Sequence, residues 1–256
     1  MMEGQVVIET EELTKIYNGQ VAVDHVSFKV MKGEVFGFLG PNGAGKTTIL
    51  LMLLGLTEPT SGKAKVLGID PTREAIKVKG LIGYMPENMG FYHDLDAIQT
   101  LRFMAELNNI PRQTAQERIE IALKTVGLET EARKKVGAYS RGMRQRLGLA
   151  ELLVKEPRVA FLDEPTLGLD PDATNKMIEL IERLSTERDM TIILCSHFLE
   201  MVQRLCHRMG IIIKGRMVAQ GTMTSLAKGK LGVDQQEYTL EEVYMKYFKE
   251  QSDARP

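Results

Sequence analysis

At 256 residues, with 43% hydrophobic and 26% charged residues, the chain has the composition of an ordinary water-soluble protein of one large or two small domains. A formal net charge of −1 gives no bulk electrostatic reason to expect nucleic acid or an anionic membrane as a partner. No apolar run approaches the roughly 18 residues that span a bilayer, and the acidic stretch Met1 to Glu12 is no signal peptide; the expectation is a cytoplasmic protein that meets membranes only through a partner.

Val6-Val7-Ile8-Glu9-Thr10 and Val21 to Val30 read as strands, the second alternating Val26, Phe28 and Val30 against Ser27 and Lys29 as a half-buried antiparallel strand does. Tyr17-Asn18-Gly19 between them is a turn with an aromatic residue. Tyr17 is either a turn and packing residue or a platform for a nucleotide base. Val35 to Leu39 is a short buried strand, and Gly40-Pro41-Asn42-Gly43-Ala44-Gly45-Lys46-Thr47, followed by Thr48, fits G-x-x-x-x-G-K-[ST] at every fixed position. The apolar run Thr48 to Leu54 then reads as a buried helix ending at Gly55. Strand, glycine-rich loop and helix make a phosphate-binding loop. Its glycines let backbone N–H groups approach phosphate oxygens at the positive end of a helix. Lys46 is expected on the β- and γ-phosphates and the Thr47 hydroxyl on Mg²⁺.

Pro59 to Gly62 is a turn, Lys63 to Leu67 and Leu81 to Tyr84 are strands, and the pattern turns helical from Met85-Pro86-Glu87-Asn88 to about Pro157. Ala115, Ile119, Ala122, Leu123 and Val126 recur at helical spacing, and Leu147 to Val154 is nearly all apolar. Buried strands return at Val159 to Leu162 and Thr191 to Cys195, with an amphipathic helix marked by Met177, Leu180, Ile181 and Leu184 between them. Apolar strands alternating with helices predict an α/β fold with a parallel sheet covered on both faces. Asp163-Glu164 follows one strand and His197 the other, at the edge where ligands of open α/β sheets gather. One carboxylate can hold Mg²⁺ and its neighbour can deprotonate the attacking water, while His197 is expected on the γ-phosphate. Cys195 and Cys206 fit no metal spacing, and the scattered methionines read as core filling. Leu240, Val243, Tyr244, Tyr247 and Phe248 form one helical stripe, read as core or subunit packing.

Together these residues resemble the ATP-binding subunit of an ABC transporter from about Val6 to Gly221. The diagnostic stretch is Tyr139-Ser140-Arg141-Gly142-Met143-Arg144-Gln145-Arg146-Leu147, similar to the family's L-S-G-G-Q-x-Q-R signature. Glu164-Pro165-Thr166, the D-loop Gly168-Leu169-Asp170-Pro171 and the switch histidine His197 complete the pattern. The resemblance implies a P-loop NTPase core with an antiparallel β subdomain, a helical subdomain inserted at about 88–157, and a helical extension over 222–256. It implies a dimer, read as a homodimer, sandwiching two ATP molecules on the cytoplasmic face of an integral membrane permease. In that reading Ser140 and Gly142 bind the γ-phosphate held by the opposite subunit, Glu164 is the general base, Asp163 and Thr47 ligate Mg²⁺, and Tyr17 stacks on adenine.

Three departures stand out. Glu87 replaces the family's usual Gln, where a carboxylate can still contact Mg²⁺ or water, so altered coupling is expected. Tyr139, Arg141 and Met143 replace Leu, Gly and Gln of the signature, and Leu167 replaces a small D-loop residue. Gly83 to Asn88, Phe91-Tyr92, Met143 to Ala150, Ile193 to His197 and Leu240 to Tyr244 are similar to ATPases of nitrous-oxide-reductase maturation, linked to copper or sulfur supply, and to drug- and sodium-export ATPases. The alternative is a soluble ABC ATPase of the iron–sulfur scaffold type, distinguished by its partner.

Overall fold

The computed structural model describes residues 5–231 and 239–253. In chain order the first elements are β1 (Val6–Tyr17), β2 (Gln20–Met31), β3 (Val35–Leu39), α1 (Lys46–Leu53), β4 (Ser61–Val66) and α2 (Ala75–Leu81). β5 (Ile82–Met85), α3 (Ala97–Leu107), α4 (Arg112–Val126), α5 (Arg141–Val154), β6 (Val159–Asp163) and α6 (Pro171–Arg188) follow. The chain continues through β7 (Thr191–Ser196), α7 (Leu199–Leu205), β8 (Arg208–Ile213), β9 (Arg216–Gly221), α8 (Met223–Leu231) and α9 (Leu240–Asp253). They form two compact units, one from Met1–Lys79 with Asp189–Pro256 and one from Gly80–Arg188.

The first unit contains an antiparallel sheet, β2-β1-β4. The Asn18-Gly19 pair closes its hairpin with both residues at positive φ, 48° and 82°, and Tyr17 pairs with Gln20. Two left-handed residues match the strand twist, which is why Asn-Gly is the strongest two-residue hairpin signal. In a second sheet β3 lies between β7 and β8, parallel to both, and β9 pairs antiparallel with β8. All five residues of β3 are buried, as a strand covered on both faces requires. Phe28 of β2 packs on Phe36 and Phe38 of β3, with ring centroids 5.0–5.5 Å apart. Such offset and edge-on contacts stabilise by about 0.5–1.5 kcal/mol each beyond area burial, and they hold the strand that feeds the glycine-rich loop.

A Cβ on Gly37 would lie 2.6 Å from the Cys206 sulfur, whereas Cys195 is the register partner of Phe38, one position along. Side chains alternate faces along a strand, so the two thiols lie on opposite faces of this sheet. Burial also pushes the Cys206 thiol far above its ordinary pKa. Of the stripe on α9, Leu240 and Val243 are fully buried, Tyr244 stacks on Phe248, and the Leu240 N–H donates to Gln203 Oε1 of α7. The stripe is therefore partly core packing of this unit.

In the second unit β5 and β6 are parallel, in register from Ile82↔Val159 to Met85↔Leu162. α3 opens with a capping box, Asp96 accepting from Gln99 N–H while Gln99 Oε1 accepts from Asp96 N–H. α4 ends at Gly127 in the left-handed region, and the Arg146 guanidinium donates to the carbonyls of Val126 and Gly127. A cation on the last carbonyls satisfies orphan acceptors and opposes the negative end of the helix. Thus α4 and α5 are joined by a named polar contact as well as by apolar packing.

The structure differs from the sequence-based expectation in detail. α1 begins at Lys46 rather than Thr48, Leu81 ends α2 rather than opening β5, and the first two strands are longer than expected. Helix and strand boundaries are weakly encoded because the end residues answer to caps and neighbours.

Candidate functional site

In the first unit the glycine-rich loop leaves the C-terminal end of β3. Gly43 and Gly45 have φ of 76° and 107°, a region that side chains with a Cβ rarely adopt. A Cβ on Gly45 would also lie 2.4 Å from the Ala22 carbonyl oxygen, and one on Gly40 2.2 Å from that of Ile212. Only glycine fits at these two positions. Lys46 opens α1, is buried, and its Nζ donates to the carbonyls of Gly40 (2.7 Å) and Pro41 (3.2 Å). The ammonium is therefore held inside the loop. Asn42, Gly43 and Thr47 are exposed, Pro41 and Thr48 half-buried, and Ala44 is buried with its N–H on the Pro41 carbonyl.

Leu39 is in register with Ser196, so the loop and His197 leave adjacent parallel strands at the same edge. His197 is exposed, and the Phe198 N–H donates to Ser196 Oγ just after it. Tyr17 is 42% exposed at its hairpin end, with Lys15 Nζ 4.9 Å from its ring centroid. One support for the loop escaped the sequence analysis. The β8–β9 turn, Lys214-Gly215 at φ 48° and 81°, receives the Asp24 N–H on its Gly215 carbonyl and donates the Gly215 N–H to Ala44. Its two-residue turn is the signal that could have found it.

In the second unit β5 and β6 end together, which brings the Glu87 segment and Asp163-Glu164 to one sheet edge. Asp163 and Glu164 are 2% and 6% exposed, and Glu164 has φ 49°. A non-glycine residue in the left-handed region costs on the order of 1 kcal/mol and persists only where its surroundings impose it. Glu87 is half-buried and its Oε1 accepts from Asn88 Nδ2 at 3.4 Å. The Asp163 carboxylate offers hard oxygen donors, the type that suits Mg²⁺.

α5 starts at Ser140, an N-cap whose hydroxyl accepts from the Met143 N–H. Two of the signature departures, Tyr139 and Arg141, have physical accounts in this unit. Tyr139 is buried, its hydroxyl donates to the Glu131 carbonyl at 2.7 Å, and burial raises its pKa. Arg141 lays its guanidinium on Gly168, where a Cβ would lie 2.6 Å from Cζ. Gly142 faces Ala173, its imaginary Cβ 3.2 Å from that methyl group. Nothing in the structure explains Leu167.

Comparisons agree with this geometry. The sequence profile described as ABC transporter matches residues 23–167. The chain is 41% identical over 222 residues to the bacitracin transport ATP-binding protein BcrA of Bacillus licheniformis, covering 87% of this chain and 72% of that one. It is 38% identical over 228 residues to the linearmycin resistance ATP-binding protein LnrL of Bacillus subtilis, covering 89% and 73%. With the Nod factor export ATP-binding protein I of Burkholderia pseudomallei it shares 39% identity over 227 residues, covering 89% and 74%. A solved ATP-binding subunit of an ABC transporter superposes with a TM-score of 0.84 at 27% identity, covering 94% of this chain and 99% of that one. CbiO1 of Clostridium perfringens gives 0.80 at 28%, covering 96% and 99%. The chain belongs to the ABC transporter ATP-binding family, as a subunit that binds ATP and hydrolyses it to drive transport.

Proposed function

We propose that this chain couples ATP hydrolysis to substrate export by a separate membrane permease, working as a homodimer at the cytoplasmic face. The observation that carries the reading is a phosphate loop that admits only glycine at Gly40 and Gly45 and holds the Lys46 ammonium, present in one chain with Asp163-Glu164 buried at a strand end. Gly40 to Thr48 bind the triphosphate, Thr47 and Asp163 hold Mg²⁺ with Glu87 as a further oxygen donor, and Tyr17 stacks on adenine. Mg²⁺, when bound, neutralises phosphate charge. Glu164 takes the proton of the attacking water, His197 contacts the γ-phosphate, and Ser140 and Gly142 bind the γ-phosphate of the partner subunit's nucleotide.

The export direction follows the relatives, whose names concern bacitracin transport, linearmycin resistance and Nod factor export. Copper or sulfur supply finds no support among them, and neither does a soluble scaffold role. No helix among the described residues is long and apolar enough to cross a membrane. An apolar surface on the Glu87-to-Asn109 stretch suits a permease: Tyr92 meets Phe103 edge-on at 5.8 Å, and Tyr92, Phe103 and Leu107 are all exposed. Gentle solubilisation of native membranes and purification through this chain is expected to yield a stoichiometric polytopic membrane protein. Recovery of soluble assembly proteins alone would contradict the proposal.

A further inference from the structure

α5 has a glycine in its interior, Gly148, where alanine would favour the helix by about 1 kcal/mol. The space explains it. A Cβ on Gly148 would lie 1.9 Å from the Met89 sulfur and 2.2 Å from its terminal methyl carbon. The Met89 side chain therefore occupies the groove that the missing Cβ leaves, two residues after Glu87.

The contact belongs to a longer face. Arg141, Arg144, Gln145 and Gly148 follow one another at i, i+3, i+4 and i+7, so they share one side of α5. Three of them, with Glu87, Asn88 and Met89, line a cavity of about 210 Å³. Gln145 is 4% exposed and its Oε1 has no hydrogen-bond partner among the described residues. A buried acceptor left in this state costs about 1–3 kcal/mol, so the present arrangement of the 87–89 segment leaves a polar demand unmet. The Asn88 amide, 3.4 Å from Glu87 Oε1, is a donor on the same cavity.

We propose that Met89, seated on Gly148, is a positioning residue that fixes where Glu87 sits against α5 and hence relative to its N-cap Ser140. This rests on the functional reading above, in which Glu87 and Ser140 both serve the nucleotide. The contact lies entirely within the Gly80–Arg188 unit.

Gly148→Ala fills the groove and expels only the flexible end of Met89, so the helix is kept. Met89→Ala empties the same groove, and Met89→Leu keeps an apolar occupant. In the purified full chain, Gly148→Ala and Met89→Ala are each expected to lower kcat for ATP about five-fold or more with KM within about two-fold, and Met89→Leu to stay within about two-fold of the parent. The Tm of Gly148→Ala should not fall, because alanine favours the helix. A Glu87→Gln change should alter kcat in the parent and have little further effect on top of Gly148→Ala, as two changes on one link behave. Parental kcat in both Gly148→Ala and Met89→Ala, or an undiminished Glu87→Gln effect in the Gly148→Ala background, would overturn the inference. A Glu164→Gln control in the same assay separates the two readings: if it hydrolyses ATP at the parental rate, the functional reading itself fails.

Discussion

The phosphate loop and the start of α5 are both helix N-termini preceded by a short motif, but they tolerate change differently. Around Gly40 to Thr47 the demands fall on the backbone. Gly45 combines a left-handed φ of 107° with a carbonyl 2.4 Å from where a Cβ would be, and no side chain relieves both. At Tyr139 to Leu147 the demands fall on side-chain packing, so substitutions can be absorbed: Tyr139 finds a carbonyl for its hydroxyl, and Arg141 finds Gly168 to lie on. A motif built from backbone geometry stays strict, whereas one built from packing drifts and keeps its cap.

The sharpest way to break this comparison is to make one substitution in both places. Gly45→Ala is expected to lower ATPase turnover by about 100-fold or more and weaken ATP binding, because a carbonyl must move. Gly142→Ala, whose new methyl meets the Ala173 methyl at 3.2 Å and Leu169 Cδ2 at 4.0 Å, should cost about ten-fold or less. Equal losses in steady-state turnover would show that the two glycines are under the same constraint.

A smaller effect sharpens the account of α5. Burial pushes the Glu151 carboxyl from 4.5 to about 7. The folded chain then holds this proton more tightly than the unfolded chain, so stability from this group falls as pH rises from about 4.5 to about 7, and the penalty is complete above that. Glu151→Gln should therefore stabilise the chain by on the order of 2 kcal/mol at pH 8 and by almost nothing near pH 4. Denaturant midpoints at the two pH values check this; a gain independent of pH would point to packing rather than charge.

The same division decides what was legible in the sequence. The Gly40 to Thr48 loop, its strand and the Asn18-Gly19 hairpin could be read because backbone conformations with positive φ restrict residue choice to a few types. The buried strands β3, β5, β6 and β7 followed from apolar runs, whereas β8 and β9 did not, and the register Leu39↔Ser196 puts the end of the His197 strand at the edge where it was expected. What could not be read were contacts between residues far apart in sequence. The Gly215 contact with Ala44, the Arg146 cap on α4 and Met89 on Gly148 each join segments far apart in sequence; the Gly215 turn has a local signal, but that signal does not name its partner. Boundaries failed for a related reason, as at Leu81, where an apolar residue serves equally as the end of a helix or the start of a strand.

The central claim is that Glu164, buried at the end of β6 and held at φ 49°, is the general base for ATP hydrolysis. Steady-state turnover of Glu164→Gln beside ATP affinity tests it most directly. The account predicts a loss of about 100-fold or more in turnover with ATP affinity retained and an ATP-bound dimer accumulating on size-exclusion chromatography. Undiminished turnover in that variant would contradict it.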